Sequence, residues 1–354
     1  FKRERLTTAR KKAMLKAASA YMQMEGQPEV VAPLLVKAGE MFAEAGSTIK
    51  SRWAFKRAGE VFHQLAEKAK KENDLDSYNK YLEHEALCLR KWGSRDESDA
   101  LYSAVIDYYL NQAEKHEREG QPELQAMRLR EAAEVLYEAG RIEEGKAVLE
   151  RALETYIQLA ELAEEQENTE DSSRYYGKAA ECAKRMDDHD RWSGFHWIAC
   201  EKAESVARKY QEDGVLPLAA IWKRTAALEA LQTDEPELMA RAIQLLRESA
   251  HDFKQIGEPK EAFENLLLVF VLTCEEQPEY DEVLENILRD MQEIAVSTGD
   301  EYMHTVLTVL VPLQRADHIA ATAMLHEHEE ELKKDLDRLR RAIQARKAVA
   351  NHRK

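Results

Sequence analysis

The stretch Leu129–Gly140, LREAAEVLYEAG, contains the positions that decide the fold of this chain. Its apolar residues recur at a helical spacing of three and four, and a glycine ends the run. That glycine belongs to a series with an interval of 47 residues, formed by Gly46, Gly93, Gly140, Asp187 and Asp234. Self-similarity at an interval of about 20 to 50 residues is typical of repeat proteins, whose units pack on their neighbours.

Other columns follow the same register. A second turn series reads Gly26, Asn73, Gly120, Glu167 and Gly214. The first helix of each unit contains a column of small residues: Gly39, Ala86, Ala133, Ala180 and Ala227. Three residues later comes a column of mostly larger apolar residues: Phe42, Leu89, Leu136, Ala183 and Ala230. The second helix repeats an acidic column, Glu60, Asp107, Glu154, Glu201 and Glu248. Small residues beside larger ones let two helices approach closely, so each unit is predicted to be an antiparallel helix pair.

The sequence therefore predicts an all-α fold, a right-handed α-solenoid of about seven antiparallel helix pairs with about fifteen helices and no sheet. A leading helix is expected at about 4–25, and the pairs are expected at 29–72, 76–119, 122–166, 170–213, 216–256, 259–298 and 301–350. The spacing shortens after about residue 256. Residues 1–256 are thus predicted as the regular solenoid and residues 257–354 as a C-terminal helical region ending in a basic amphipathic helix.

The charge of the chain is unevenly distributed. The net charge is −16, yet residues 1–16 carry seven Lys or Arg against Glu4, and residues 333–354 carry nine against two aspartates. The acidic middle disfavours nucleic acid, while the basic ends suit acidic partners or anionic lipid unless they are simply solvated helix ends. No apolar run is long enough to cross a bilayer, so we expect a cytoplasmic protein with at most peripheral membrane contact.

The sequence predicts no catalytic, cofactor or metal site. Cys88 and Cys182 share a column with Met41 and Val135, which indicates buried structural thiols. In the pair His326 and His328, two residues apart on one helix, the side chains diverge too far to chelate one ion. The tryptophans lie in helical contexts and are interpreted as packing residues: Trp53, Trp92, Trp192, Trp197 and Trp222.

The last helix carries one apolar stripe, predicted to pack on the preceding pair and formed by Leu325, Leu332, Leu336, Leu339 and Ile343. The basic residues around it are predicted to face outward: Lys333, Lys334, Arg338, Arg340, Arg341, Arg346 and Lys347.

Tandem helix pairs such as the one that contains Leu129–Gly140 resemble tetratricopeptide-like solenoids, although 47 residues exceeds the usual repeat of about 34. Within that superfamily the chain is most similar to the soluble NSF attachment proteins (SNAPs), in size, in acidity and in its distinct C-terminal region. The run Arg338–Gln344, RLRRAIQ, is similar to the basic and apolar run that closes the SNAP C-terminal helix.

This resemblance implies a non-enzymatic adaptor of vesicle trafficking. The solenoid would lie along a coiled-coil or helical-bundle partner, as SNAPs do on SNARE complexes, and its C-terminal helix would recruit a hexameric AAA+ ATPase. Arg338, Arg340 and Arg341 would then meet acidic surface on the ATPase, with Leu339 and Ile343 holding the helix in place. The alternative is a tetratricopeptide-like sensor or oligomerisation module of a larger signalling protein, since the chain begins at Phe1 rather than at methionine. An enzyme is a third hypothesis and would require a composite site across repeats.

Overall fold

The structure is a computed structural model and describes residues 2–233, 235–276, 281–315 and 317–352. Within these ranges sixteen α-helices follow one another without a strand, so the predicted all-α helical-repeat fold is confirmed. They are α1 (Lys2–Tyr21), α2 (Pro28–Glu44), α3 (Thr48–Lys71), α4 (Leu75–Trp92), α5 (Arg95–Arg118), α6 (Pro122–Glu138), α7 (Ile142–Glu165), α8 (Thr169–Arg185), α9 (His189–Glu212), α10 (Leu216–Ala230), α11 (Pro236–Gln255), α12 (Pro259–Glu276), α13 (Asp281–Thr298), α14 (Glu301–Gln314), α15 (His318–Glu327) and α16 (Leu336–His352).

Turns of two or three residues join consecutive helices from α2 to α10, and such short turns make neighbouring helices antiparallel. The two turn series hold left-handed backbone where a helix ends. Gly46, Gly93 and Gly140 have φ of 80°, 115° and 77°, as expected for helix C-termini. Asn73 and Asp187 adopt the same conformation, with φ of 59° and 60°, so the turn persists where glycine is replaced. Asp234 of the first series lies outside the described residues.

The chain divides into two compact units, residues 1–156 and 157–354. In the first unit the small column lies in the core, because Ala86 and Ala133 are fully buried. A Cβ on Gly39 would lie 2.9 Å from the ring of Phe55, so the glycine permits this helix crossing. In the second unit Ala180 and Ala227 are also fully buried.

All four cysteines are buried, as the column containing Cys88 and Cys182 predicted. Burial raises the pKa of the Cys88 and Cys200 thiols to about 12. These thiols therefore belong to the packed interior of the two units.

The C-terminal region differs from its prediction. The segment 301–350, expected to be one helix pair, contains the three helices α14, α15 and α16. Residues 328–335 separate α15 from α16, so the stripe from Leu325 to Ile343 is not continuous on one helix. Leu325, Leu332, Leu339 and Ile343 are nevertheless buried in the core of the second unit. The predicted boundary near residue 256 stays a prediction.

None of the described helices combines the length and the apolar character needed to span a membrane.

Candidate partner-binding groove

Two columns of the repeat change character at the same place in the second unit. The first reads Phe55, Tyr102, Leu149, His196, and the second reads Cys88, Val135, Cys182, Glu229, each at 47-residue intervals. The earlier members are buried apolar residues or tyrosine, with at most 4% exposure. His196 and Glu229 therefore occupy positions that the other repeats fill with core side chains.

The two polar residues pair with each other. His196 Nδ1 lies 2.7 Å from Glu229 Oε2, with side-chain exposures of 5% and 24%. A polar group at a core position is costly unless it is hydrogen-bonded, so each side chain makes the other tolerable. Burial raises the pKa of the nearby Cys200 thiol, and the negative charges of Glu204 and Glu229 raise it further.

Gly177 gives the carboxylate room. It lies within α8, where the same column of neighbouring repeats carries Glu83, Arg130 and Arg224. A Cβ built on Gly177 would lie 3.1 Å from Glu229 Oε1, closer than an ordinary van der Waals contact. Glycine inside a helix costs about 0.5–1 kcal/mol relative to alanine, so this position gives up helix stability for open space.

The result is a groove between α8 and α10, with His196 of α9 at its base, called here the α8/α10 groove. Its volume is about 660 Å³. Basic and acidic side chains alternate along its walls with Trp222, Thr225 and Leu228. The remaining lining residues are Glu170, Asp171, Ser173, Arg174, Lys178, Glu181, Lys184 and Gln232.

Most charges of the groove already have partners. Arg174 pairs with Asp171 at 2.9 Å and also lies over the ring of Tyr175. Lys184 lies 4.9 Å above the ring of Trp192. Glu229 differs, because His196 is its one polar partner among the described residues and Oε1 faces the space left by Gly177.

Trp192, which lies next to His196, also departs from its repeat column. Its column reads Ser51, Ser98 and Gly145 in the preceding repeats. The indole packs edge-on against His196, with ring centroids 6.3 Å apart. Within the described residues its Nε1 is buried without a hydrogen-bond partner, which is uncommon for a buried indole.

Both hydroxyls of the groove lining donate to backbone carbonyls, Ser173 Oγ to Ala199 at 2.8 Å and Thr225 Oγ1 to Ile221 at 3.0 Å. Among the described residues, no group of histidine, cysteine and carboxylate side chains is suited to hold a metal ion.

The residues predicted from the sequence as a partner site lie elsewhere in the second unit, on α16. Leu339 and Ile343 are buried in its core. Arg338 pairs at 2.7 Å with Asp335, which is 1% exposed and also accepts a hydrogen bond from the hydroxyl of Tyr302. The pKa of that phenol is raised, first by burial and then by its bond to Asp335.

Arg340 pairs with Glu329 at 2.7 Å, and Arg341 lies 3.5 Å from Glu275 of α12. Both arginine side chains are about half exposed, at 49% and 52%. The predicted basic face is therefore largely neutralised by carboxylates of the same unit.

For Arg346 the prediction of an outward basic side chain is wrong. Arg346 is fully buried, and its guanidinium donates to the carbonyls of Leu313 and Gln314 at 3.0 Å and 2.9 Å. These carbonyls lie at the C-terminus of α14, where unpaired oxygens and the helix dipole favour a cation.

Other predicted features are scattered. Glu60 lies 3.9 Å from Lys56 of its own helix, and Glu248 lies 4.0 Å from Lys223 of α10. His326 and His328 approach different glutamates, Glu329 and Glu331. The packing interpretation holds for Trp222, which packs against the core, but is wrong for Trp53 and Trp197, which are 62% and 40% exposed.

Sequence reasoning missed the α8/α10 groove, although the signal was present. The core column contains Met41, Cys88, Val135 and Cys182, and one period later it continues with Glu229. A charged residue that breaks an apolar column was the available indication of a site.

No protein-family model and no curated protein matches this chain. Among solved structures, a circular tandem repeat protein with novel repeat topology is 17% identical, with 96% of this chain and 90% of that chain covered and a TM-score of 0.34. A signal transduction ATPase with numerous domains and a tetratricopeptide repeat sensor, from Pyrococcus horikoshii, is 14% identical at a TM-score of 0.38, and the match covers 94% of this chain and 55% of that one.

A Rap protein complexed with competence and sporulation factor is 14% identical, with coverages of 92% and 94% and a TM-score of 0.32. Likeness at this level identifies no family and carries no function. The tetratricopeptide-like helix-pair architecture rests on the helices described above, and the resemblance to SNAPs stays a prediction.

Proposed function

We propose that this protein is a non-enzymatic interaction scaffold that binds a segment of a partner protein in the α8/α10 groove. Helical-repeat proteins usually act by presenting an extended surface to another macromolecule. The observation that carries the proposal is the paired replacement of two core columns by His196 and Glu229 beside Gly177. Each change costs stability by itself, and together they open a polar groove.

The proposal is tested by closing the groove. The full chain is used to select binders from a display library of random peptides of about 16 residues, long enough to span about 24 Å as a helix. Gly177→Arg places in the groove the side chain that Arg130 and Arg224 supply in neighbouring repeats. We expect the selected peptides to lose at least tenfold in affinity for this variant.

Gly194→Arg is the matched control. Gly194 is also a helical glycine of the second unit, it is exposed, and open space surrounds its Cβ position. Binding should survive this change. If no peptide distinguishes Gly177→Arg from Gly194→Arg, the groove is not a binding site and the proposal fails.

A second candidate function is the SNAP-like one, in which α16 recruits an AAA+ ATPase while the repeats hold a helical bundle. The half exposure of Arg340 and Arg341 supports it, because exposed ion pairs contribute only about 0–1 kcal/mol and can exchange partners. The double change Arg340→Glu and Arg341→Glu should then abolish stimulation of a purified SNAP-dependent ATPase. Wild-type protein that gives no stimulation would exclude this role.

A further inference from the structure

One face of α10 is apolar and exposed, and it borders the α8/α10 groove. Leu218, Ile221 and Leu228 are 37%, 47% and 42% exposed, and together with Thr225 they form what is called here the α10 ridge. Their spacing of three, four and three residues places them on one side of the helix, over about 15 Å. The opposite side of α10 is the buried one, with Ala219, Ala220, Lys223, Ala226, Ala227 and Ala230.

The preceding repeat treats these positions differently. The same columns of α8 contain Asp171, Arg174, Lys178 and Glu181, which is an ordinary solvated helix face. Relative to α8, the α10 ridge is a change from charged to apolar residues; α6 also exposes Leu124 and Met127 at the columns of Leu218 and Ile221, and α10 adds Leu228. Exposed apolar side chains that line up in this way mark a surface that another molecule covers.

The following repeat identifies what kind of molecule that is. The left-handed glycines Gly214 and Gly257 precede α10 and α12 by the same number of residues, so Ile221, Thr225 and Leu228 of the ridge correspond to Glu264, Leu268 and Val271 of α12. Val271 is fully buried in the same core cluster as Leu339 and Ile343 of α16, and the partly buried Leu268 packs against that cluster.

The segment that covers α12 is a basic amphipathic helix. Besides its sequence neighbours α11 and α13, α12 packs against α16. Lys334, just before α16, pairs with Glu264, and Arg341 of α16 lies 3.5 Å from Glu275, so cations sit near both ends of α12. In α12, therefore, the helix face that corresponds to the α10 ridge is covered by a basic amphipathic helix of the same chain.

We infer that the α10 ridge and the α8/α10 groove together bind an amphipathic helix of a partner protein, apolar along one face and basic at its flank. This inference rests on the proposed function. The apolar face of the partner helix packs on the ridge as α16 packs on α12, and a Lys or Arg reaches Glu229 Oε1 beside Gly177. Trp222, which is partly buried in the same wall, offers its ring to the same cation.

The peptides selected with Gly177→Arg and Gly194→Arg test this inference separately from the proposed function. We expect groove-dependent binders to carry apolar residues at helical spacing and at least one Lys or Arg, and to gain helical circular dichroism on binding. Ile221→Glu and Glu229→Gln should each reduce their affinity at least tenfold. Val296→Glu, at a position of the same unit that is 74% exposed, should leave it unchanged.

The outcomes differ for the two hypotheses. Groove-dependent peptides that tolerate a central proline and Ile221→Glu would overturn the helical ligand and leave the groove as a binding site for extended segments. The absence of any groove-dependent peptide would overturn both. Thermal melting of each variant verifies that the fold is intact.

Discussion

The His196–Glu229 pair can be tested by exchanging it for the residues that other repeats use. The variants are His196→Leu, Glu229→Val and the double change, which restores the apolar character that Leu149 and Val135 give to the same columns. The two side chains approach to 2.7 Å, and the imidazole is 5% exposed. Each single variant therefore leaves one polar side chain at a core column of the second unit without its partner.

The magnitudes follow from burial. Glu229→Val leaves a buried imidazole without its hydrogen-bond partner, which costs about 1–3 kcal/mol. His196→Leu costs less, because Glu229 is 24% exposed and its carboxylate can turn to water in the groove. The double variant should be as stable as the wild type or more stable, since replacing a buried polar pair by apolar residues is often neutral or stabilising.

The assay is urea unfolding of the full chain followed by far-ultraviolet circular dichroism, with amide hydrogen exchange of α9 and α10 to localise the change. The double-variant cycle should give a coupling free energy of about 1–3 kcal/mol. Additive effects of the two single changes would refute the reasoning. So would a double variant less stable than Glu229→Val, because the columns would then not tolerate apolar residues.

Three further predictions concern other parts of the chain. Burial raises the pKa of Glu83 to about 7 from a usual 4.5, so ionising this carboxyl destabilises the folded state as pH rises from 4.5 through 7. In urea unfolding, Glu83→Gln should therefore be about 1–3 kcal/mol more stable than wild type at pH 8 and equal to it at pH 4. Ala133→Leu should overpack a helix crossing and cost about 1–3 kcal/mol, and an unchanged melting temperature would contradict that core position. Arg338→Ala should cost about 1–3 kcal/mol by removing the cationic partner of buried Asp335, which retains its hydrogen bond from Tyr302, whereas Arg340→Ala should stay within about 0.5 kcal/mol in the same melts.

The helix pairs were predictable because several columns repeat in one register. Positions such as Ala86 and Ala133 identify the crossings, and the turn series identifies where helices end. The period remains visible even where glycine gives way to Asp187, since a single left-handed residue is enough to end the helix. Local chemistry and packing point to the same fold at these positions.

The C-terminal region was less predictable because its residues act through tertiary contacts. Helical spacing places Arg346 on the same stripe as Leu339 and Ile343, but its charge suggested an outward position. The carbonyls of Leu313 and Gln314 satisfy the buried guanidinium. The sequence around Arg346 does not indicate these acceptors, because they belong to another helix. The interruption at 328–335 also contains no glycine or proline that would signal a helix end.

Residues that depart from the repeat columns indicate the surface that we propose to carry function. Gly177, Trp192, His196 and Glu229 depart from their columns within three consecutive helices. A helical glycine, a buried polar pair and an indole N–H without a partner each lower stability. Sequences keep such costs where binding requires them. The arginines of α16 carry no comparable cost, because each has a carboxylate or carbonyl partner in its own unit. If the proposed function holds, altering the α8/α10 groove should change what this protein binds.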